Sequence, residues 1–200
     1  HSLLLAGSPG SGKSMLAQRF AGLLPAMSTQ EALESAAIAS LGGRFSIDRW
    51  AVRPTCAPHH TASAVALVGG GSPPRPGEIS LAHGGVLFLD ELGEFAPTVL
   101  DALRQPLEDG VVRLARAKSS VTMPAKFLLV AATNPCPCGE GAPGVCVCDE
   151  RAKQRYLKRF SGPLLDRFDL RVAVMRPQAD EMLSTTPGES SSLIAKRVAL

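Results

Sequence analysis

Gly7-Ser8-Pro9-Gly10-Ser11-Gly12-Lys13-Ser14 stands directly behind the apolar run Leu3-Leu4-Leu5-Ala6 and ahead of a helical pattern carried by Met15, Leu16 and Phe20. Strand, G-x-x-x-x-G-K-S loop and helix in that order is the context in which this motif cradles phosphate. Its glycines let backbone N–H groups curl around an anion, and the new helix points its positive end at the same place. On this reading Gly7, Ser8, Pro9, Gly10, Ser11 and Gly12 wrap a nucleotide's phosphates. Lys13 neutralises the β- and γ-oxygens, and the Ser14 hydroxyl binds Mg2+.

A second site is expected at Val86-Leu87-Phe88-Leu89-Asp90-Glu91, where four apolar residues end in two adjacent carboxylates. In a parallel sheet the carboxyl end of a strand faces the ligand crevice. Asp90 is placed to hold Mg2+, directly or through water, and Glu91 to orient and deprotonate an attacking water. Asn134 follows the apolar strand Leu128–Thr133 and is a candidate to position that water, although an Asn-Pro turn reads the same way locally. Arg167, in Leu164-Leu165-Asp166-Arg167-Phe168-Asp169, lies just before a last strand. It reads either as an arginine supplied to a neighbouring subunit's γ-phosphate or as a surface ion pair with Asp166 or Asp169.

The 200 residues, 45% of them apolar, suffice for one domain with a real core. Helices are expected over Lys13–Leu24, from Ser28 to about Leu41 behind a Ser28-Thr29-Gln30-Glu31 capping box, over Pro97–Leu107 and over about Glu150–Phe160. A hairpin is expected at Val111–Ala115 and Val121–Met123, and further strands at Phe127–Ala132 and Leu170–Val174. Strands alternating with helices predict an α/β fold around a mostly parallel sheet. Between Arg44 and Pro76 the periodicity fails among five prolines, and the stretch reads as an insertion of loops or hairpins. No apolar run approaches membrane length and no signal peptide is visible, so the chain reads as cytoplasmic. A start at His1 and a tail that stops in a helical pattern read as a piece of a longer protein.

Net charge is +3, but Arg151 to Arg176 alone carries +6, which suits an anionic partner or a solvated helix face. Four cysteines form Cys136-x-Cys138-x7-Cys146-x-Cys148. Four thiolates so close can surround a tetrahedral Zn2+, and the alternatives are a redox-sensitive or a merely flexible loop. His59 and His60 invite a metal or catalytic reading, but no nearby carboxylate completes a site, and they read as polar loop contacts, nucleic acid being one partner open to them. His83 reads as a local packing or hydrogen-bonding residue.

These motifs, with Ala57-Pro58-His59-His60-Thr61-Ala62-Ser63, Pro76–His83, Asn134-Pro135-Cys136-Pro137-Cys138-Gly139 and Ser161–Arg167, resemble the magnesium-chelatase-like AAA+ ATPases of the ComM/YifB type. The resemblance implies a P-loop NTPase core over residues 1–176, with a helix-2 insertion at about 44–76 facing a ring's pore and a Cys-rich loop at 135–148. Residues 177–200 would begin an incomplete C-terminal lid. It implies ATP and Mg2+ held by Lys13, Ser14, Asp90, Glu91 and Asn134, Asn134 in the sensor position. Arg167 would act in trans in a homo-oligomeric ring, a hexamer, and DNA would be the substrate moved, by branch migration during natural transformation. A magnesium-chelatase motor subunit and a non-catalytic nucleotide-gated scaffold are the competing readings. The chain departs from the family pattern at Thr55 and Cys56, where aromatic and basic residues are usual, and at Gly93, where proline is more usual.

Overall fold

In a computed structural model, which describes residues 1–116, 119–141, 145–160, 162–178 and 188–199, five strands form one sheet. They are β1 (Leu3–Ala6), β2 (Thr55–Cys56), β5 (Val86–Leu89), β8 (Leu128–Thr133) and β9 (Leu170–Ala173), in the spatial order β2-β5-β8-β1-β9. Every pairing is parallel, with Leu3 opposite both Val130 and Leu170, and Val86 opposite Leu128. Period-two alternation sends Leu87, Leu89, Leu129 and Ala131 to one face. Val86, Phe88, Val130 and Ala132 face the other. Both faces are covered, which is why the central strands are continuously apolar.

The first face packs on Leu67, Ile79, Leu92, Phe95, Leu100, Leu103, Tyr156 and Leu164. These come from the short helices α3 (Ala64–Val68), α4 (Glu78–Leu81), α5 (Pro97–Asp101), α7 (Glu150–Leu157) and α8 (Gly162–Leu165) and their flanks. The second face packs on Ala17 and Phe20 of α1 (Lys13–Phe20). Helix α2 (Thr29–Leu41) opens on the expected capping box: Ser28 Oγ accepts from the Glu31 N–H at 3.2 Å, and Glu31 Oε2 accepts from the Ser28 N–H at 2.8 Å. Beyond the described gap, α9 (Ser191–Val198) lies against the turn Ala21–Leu23. Residues 179–187 and 142–144 of the stretches expected to form the lid and the Cys-rich loop lie outside the described residues.

Three expectations are corrected. The insertion is not only loops and hairpins. It carries α3 and a two-residue hairpin, β3 (Gly69–Gly70) with β4 (Arg75–Pro76), and it supplies β2 as an edge strand of the main sheet. Strands of two residues are too short to show any periodicity. Docking of β2 depends on Gly85, where any Cβ would collide with the Pro54 carbonyl that accepts the Val86 N–H at 2.8 Å. The helix expected over Pro97–Leu107 is two helices, α5 and α6 (Arg104–Asp109). Pro106 has no N–H to offer the Ala102 carbonyl and its ring crowds that carbonyl, so the chain restarts at Leu103 with Pro106 in the first turn. The helix after the glycine-rich loop is α only to Phe20 and tightens to a 3-10 turn at Ala21–Leu23. The hairpin β6 (Val111–Arg116) with β7 (Ser119–Pro124) stands where expected.

Leu129, the second residue of β8, is fully buried. Leu129→Ala is expected to cost about 2–5 kcal/mol through lost burial and a residual cavity. Ser28→Ala, which removes only the α2 cap, should cost about 0.5–2 kcal/mol. Denaturant unfolding of the two variants checks the order.

Candidate functional site

Three neighbouring strands, β5, β8 and β1, end on the same edge of the sheet. Past β1 runs the glycine-rich loop, past β5 come Asp90 and Glu91, and past β8 comes Asn134. The Ser14 hydroxyl donates to Asp90 Oδ2 at 2.6 Å. Lys13 Nζ donates to the carbonyls of Gly7 at 2.7 Å and Ser8 at 2.9 Å, and to Asn134 Oδ1 at 3.3 Å. Asn134 therefore does more than begin an Asn-Pro turn. The Lys13 side chain is buried, and desolvation lowers its pKa while the Asp90 carboxylate works to raise it.

The loop is held tightly. Gly10 (φ +76°) and Gly12 (φ +88°), the N-cap of α1, occupy the left-handed region that favours glycine. At Gly7 a Cβ would collide with the Val174 carbonyl, just past β9. Two residues on, Arg176 Nη2 donates to the Pro9 carbonyl at 3.0 Å, and the guanidinium lies alongside Gly10. Arg176 belongs to this site, although in the sequence it stands only as part of a basic stretch. No motif marks it. Its place follows from the β1–β9 pairing, which carries the chain past β9 to the loop.

Glu91 has a left-handed backbone (φ +51°), uncommon for a residue with a side chain. Its N–H donates to Asp90 Oδ1 at 2.9 Å, and its Oε2 faces His60 Nδ1 at 3.2 Å. That corrects the reading of His60 as a residue without a nearby carboxylate; His59 Nδ1 instead meets Thr61 Oγ1 at 2.9 Å. The insertion folds back so that His60, stacked on His59 and edge-on to Phe95, meets Glu91. His83, also as a hydrogen-bonding residue, accepts the Lys126 N–H on Nδ1 at 3.1 Å while Nε2 faces Glu34.

Arg167 is not in this cluster. It forms an ion pair with Glu108 at the end of α6. It precedes Leu170, which pairs with Leu3 at the start of β1, whereas the glycine-rich loop follows Ala6. Four residues of strand, about 13 Å, separate those two edges. Arg167 thus faces away from the loop of its own chain, and neither Asp166 nor Asp169 is its recorded partner.

Beside the loop, the sulfurs of Cys136, Cys138, Cys146 and Cys148 all lie within 4.8 Å of one another. Hydrogen bonding from the Glu140 backbone, aided by Cys136, pushes the Cys138 thiol down to about 6. Tyr156 of α7 reaches the end of β8, its hydroxyl 3.0 Å from Thr133 Oγ1, and its ring fills the space a side chain on Gly93 would need.

The cluster has the chemistry of a phosphate and cation site. A buried ammonium, a run of loop N–H groups and the start of α1 favour an anion. A hydroxyl and a carboxylate already in contact offer hard oxygens to a divalent cation such as Mg2+. Ser11 Oγ, in the loop, is buried without a hydrogen-bond partner among the described residues. Among the cavities that lie elsewhere are one of about 410 Å3 between α2 and the insertion and one of about 910 Å3 at the opposite sheet edge, by Ser2 and His83. Among the described residues, no helix is long and apolar enough to cross a membrane.

Comparison with known proteins places the chain in a family. The family described as magnesium chelatase, subunit ChlI, matches residues 1–182. The Escherichia coli K12 protein YifB is 53% identical over 200 residues, covering 99% of this chain and 40% of YifB. A Mycobacterium tuberculosis protein is 53% identical over 203 residues, covering 100% of this chain and 40% of its own length. The competence protein ComM of Haemophilus influenzae is 50% identical over 200 residues, covering 99% of this chain and 39% of ComM. The chain therefore spans about 40% of the length of the relatives it matches. With a family match over most of its residues, on an α/β P-loop sheet of the AAA+ kind, the chain belongs to the magnesium chelatase ChlI family and is of its YifB/ComM type.

Proposed function

We propose that this chain is the ATP-hydrolysing part of a cytoplasmic, ring-forming AAA+ motor that moves DNA. The observation that carries the ATP half is the convergence of Lys13, Ser14, Asp90 and Asn134 at one sheet edge. The glycine-rich loop and the first turn of α1 receive the phosphates. Lys13 exchanges its bonds to the Gly7 and Ser8 carbonyls for stronger charge-assisted bonds to phosphate oxygens. Ser14 and Asp90 hold Mg2+, which when bound neutralises developing charge on the β- and γ-oxygens. Glu91 takes the proton of the attacking water, and His60 sets the direction of its carboxylate. Asn134 and Lys13 position the reacting end. Arg176 holds the loop from the β9 side.

Arg167 acts in trans. Its position at the far edge of the sheet supports this role, because a neighbour in a ring is then the nucleotide site it can serve. A closed hexamer supplies one such neighbour to every subunit. Residues 1–176 form the ATPase core, and α9 begins the lid.

The DNA half has separate support. The insertion exposes Phe45, Ile47, Trp50 and Val52 beside Arg49, an apolar and basic surface suited to stacking and phosphate contact. Helix α7 and the residue after it present Arg151, Arg155 and Lys158 to solvent. One relative bears the name competence protein.

In the full-length protein Glu91→Gln is expected to keep ATP binding and lower turnover at least about 100-fold. Unchanged turnover would remove Glu91 as the base. Arg167→Ala alone should also bind ATP and fail to turn it over. Mixing the Glu91→Gln and Arg167→Ala proteins should restore part of the activity, since some interfaces then hold both native residues. Mixtures no more active than their parts would exclude action in trans. Forked DNA is expected to raise ATP turnover several-fold, with the effect fading as salt rises. Turnover indifferent to DNA but raised by a porphyrin-binding partner would favour a chelatase motor instead.

A further inference from the structure

Four thiols meet beside the glycine-rich loop, and hydrolysis of ATP has no use for them. Cys136 Sγ lies 3.2 Å from Cys138 Sγ and 3.6 Å from Cys146 Sγ, and Cys138 and Cys146 are 3.8 Å apart. A disulfide would bring two sulfurs to about 2.0 Å; all four are free thiols. Around a Zn2+ with Zn–S bonds of about 2.3 Å, the edges of a tetrahedron measure about 3.8 Å. No pair of the four ligand atoms exceeds 4.8 Å, which leaves room for one ion and not for an iron–sulfur cluster. The Cys138 N–H points at Cys148 Sγ at 3.4 Å, the outer support that a thiolate ligand usually receives.

The surroundings say what such an ion would do. Val145 and Val147 are exposed, so neither of these valines anchors the loop. Cys136 stands two residues past Asn134. Cys148 adjoins Asp149, whose carboxylate caps α7 by accepting the Ala152 N–H at 2.6 Å. Gly139 (φ +88°) lies directly on Pro9 of the glycine-rich loop, where a Cβ would come within 2.8 Å of Pro9 Cγ.

We propose that Cys136, Cys138, Cys146 and Cys148 hold one structural Zn2+, and that this knuckle fixes the glycine-rich loop through the seat of Pro9 on Gly139. Binding releases the thiol protons and supplies the folding energy that the loop's own side chains lack. The coupling to the loop rests on the nucleotide-binding reading above; the metal site does not.

The test uses the full-length protein. Elemental analysis is expected to return one zinc per chain, and less than a tenth of that in a Cys146→Ser/Cys148→Ser variant. Replacement by Co2+ should give the visible bands of a tetrahedral thiolate site. Chelation of the zinc should weaken binding of a fluorescent ATP analogue at least tenfold, and added Zn2+ should restore it. Gly139→Ala keeps every thiol but pushes on Pro9, so it should retain zinc and still bind the analogue more weakly; this separates the lost contact from a lost fold. Absence of zinc, iron in its place, or equal zinc in the serine variant overturns the metal site. One zinc per chain with unchanged analogue affinity after its removal overturns the coupling. Failure of the zinc-loaded protein to bind the analogue at all overturns the nucleotide reading and the coupling together, while the metal content still decides the site.

Discussion

Parallel hydrogen bonding among β5, β8 and β1 is the constraint on which the site depends. Because these strands run the same way in register, their carboxyl ends coincide. Asp90, Asn134 and the glycine-rich loop are therefore delivered to one place without a dedicated connection. The 2.6 Å contact of Ser14 with Asp90 and the reach of Lys13 to Asn134 are consequences of that alignment. An antiparallel neighbour would have sent one of the three groups to the opposite edge. The same geometry keeps Arg167 away, since it precedes a strand where the others follow theirs.

The glycine-rich loop is clamped from two sides by close contacts, at two of which a glycine leaves no room for a side chain. On the β9 side Gly7 meets the Val174 carbonyl, and Arg176 reaches the Pro9 carbonyl. On the β8 side Gly139 meets Pro9. For the proposed role of surrounding an anion with its N–H groups, such rigidity would leave little ordering to be done when a ligand arrives. Glu91 is handled differently. It is exposed, on a left-handed backbone, and held by His60 from an insertion that also supplies the sheet's edge strand. The partner of Glu91 and the sheet's edge strand thus come from one insertion.

Much of this was legible in the chain. The strand–loop–helix order around Gly7–Ser14 and the run Val86–Leu89 before Asp90 are local patterns set by backbone sterics and burial on both faces. The Ser28–Glu31 box and the hairpin after Val111 are equally local, and all four stand where the pattern places them. Pro106 interrupts a helix whose apolar pattern runs on through it, so the pattern alone gives one helix where the proline makes two. The edge strand Thr55–Cys56 left no pattern, because two residues cannot show a period. His60 and Arg176 left none either, since each acquires its partner only when distant segments close.

The amino-acid sequence by itself determined the kinds of group present and the elements that carry them: a glycine-rich loop, a lysine and serine at a helix start, paired acids after a buried strand, four cysteines in thirteen residues. Those follow from interactions over a few residues, where φ/ψ preference and hydrophobic period dominate. Tertiary structure alone decided who faces whom: Ser14 with Asp90, His60 with Glu91, Arg176 with Pro9, Gly139 with Pro9, and Arg167 turned from its own chain's loop. These depend on strand order and register, which arise from the packing of both sheet faces at once and have no trace in any short stretch of sequence.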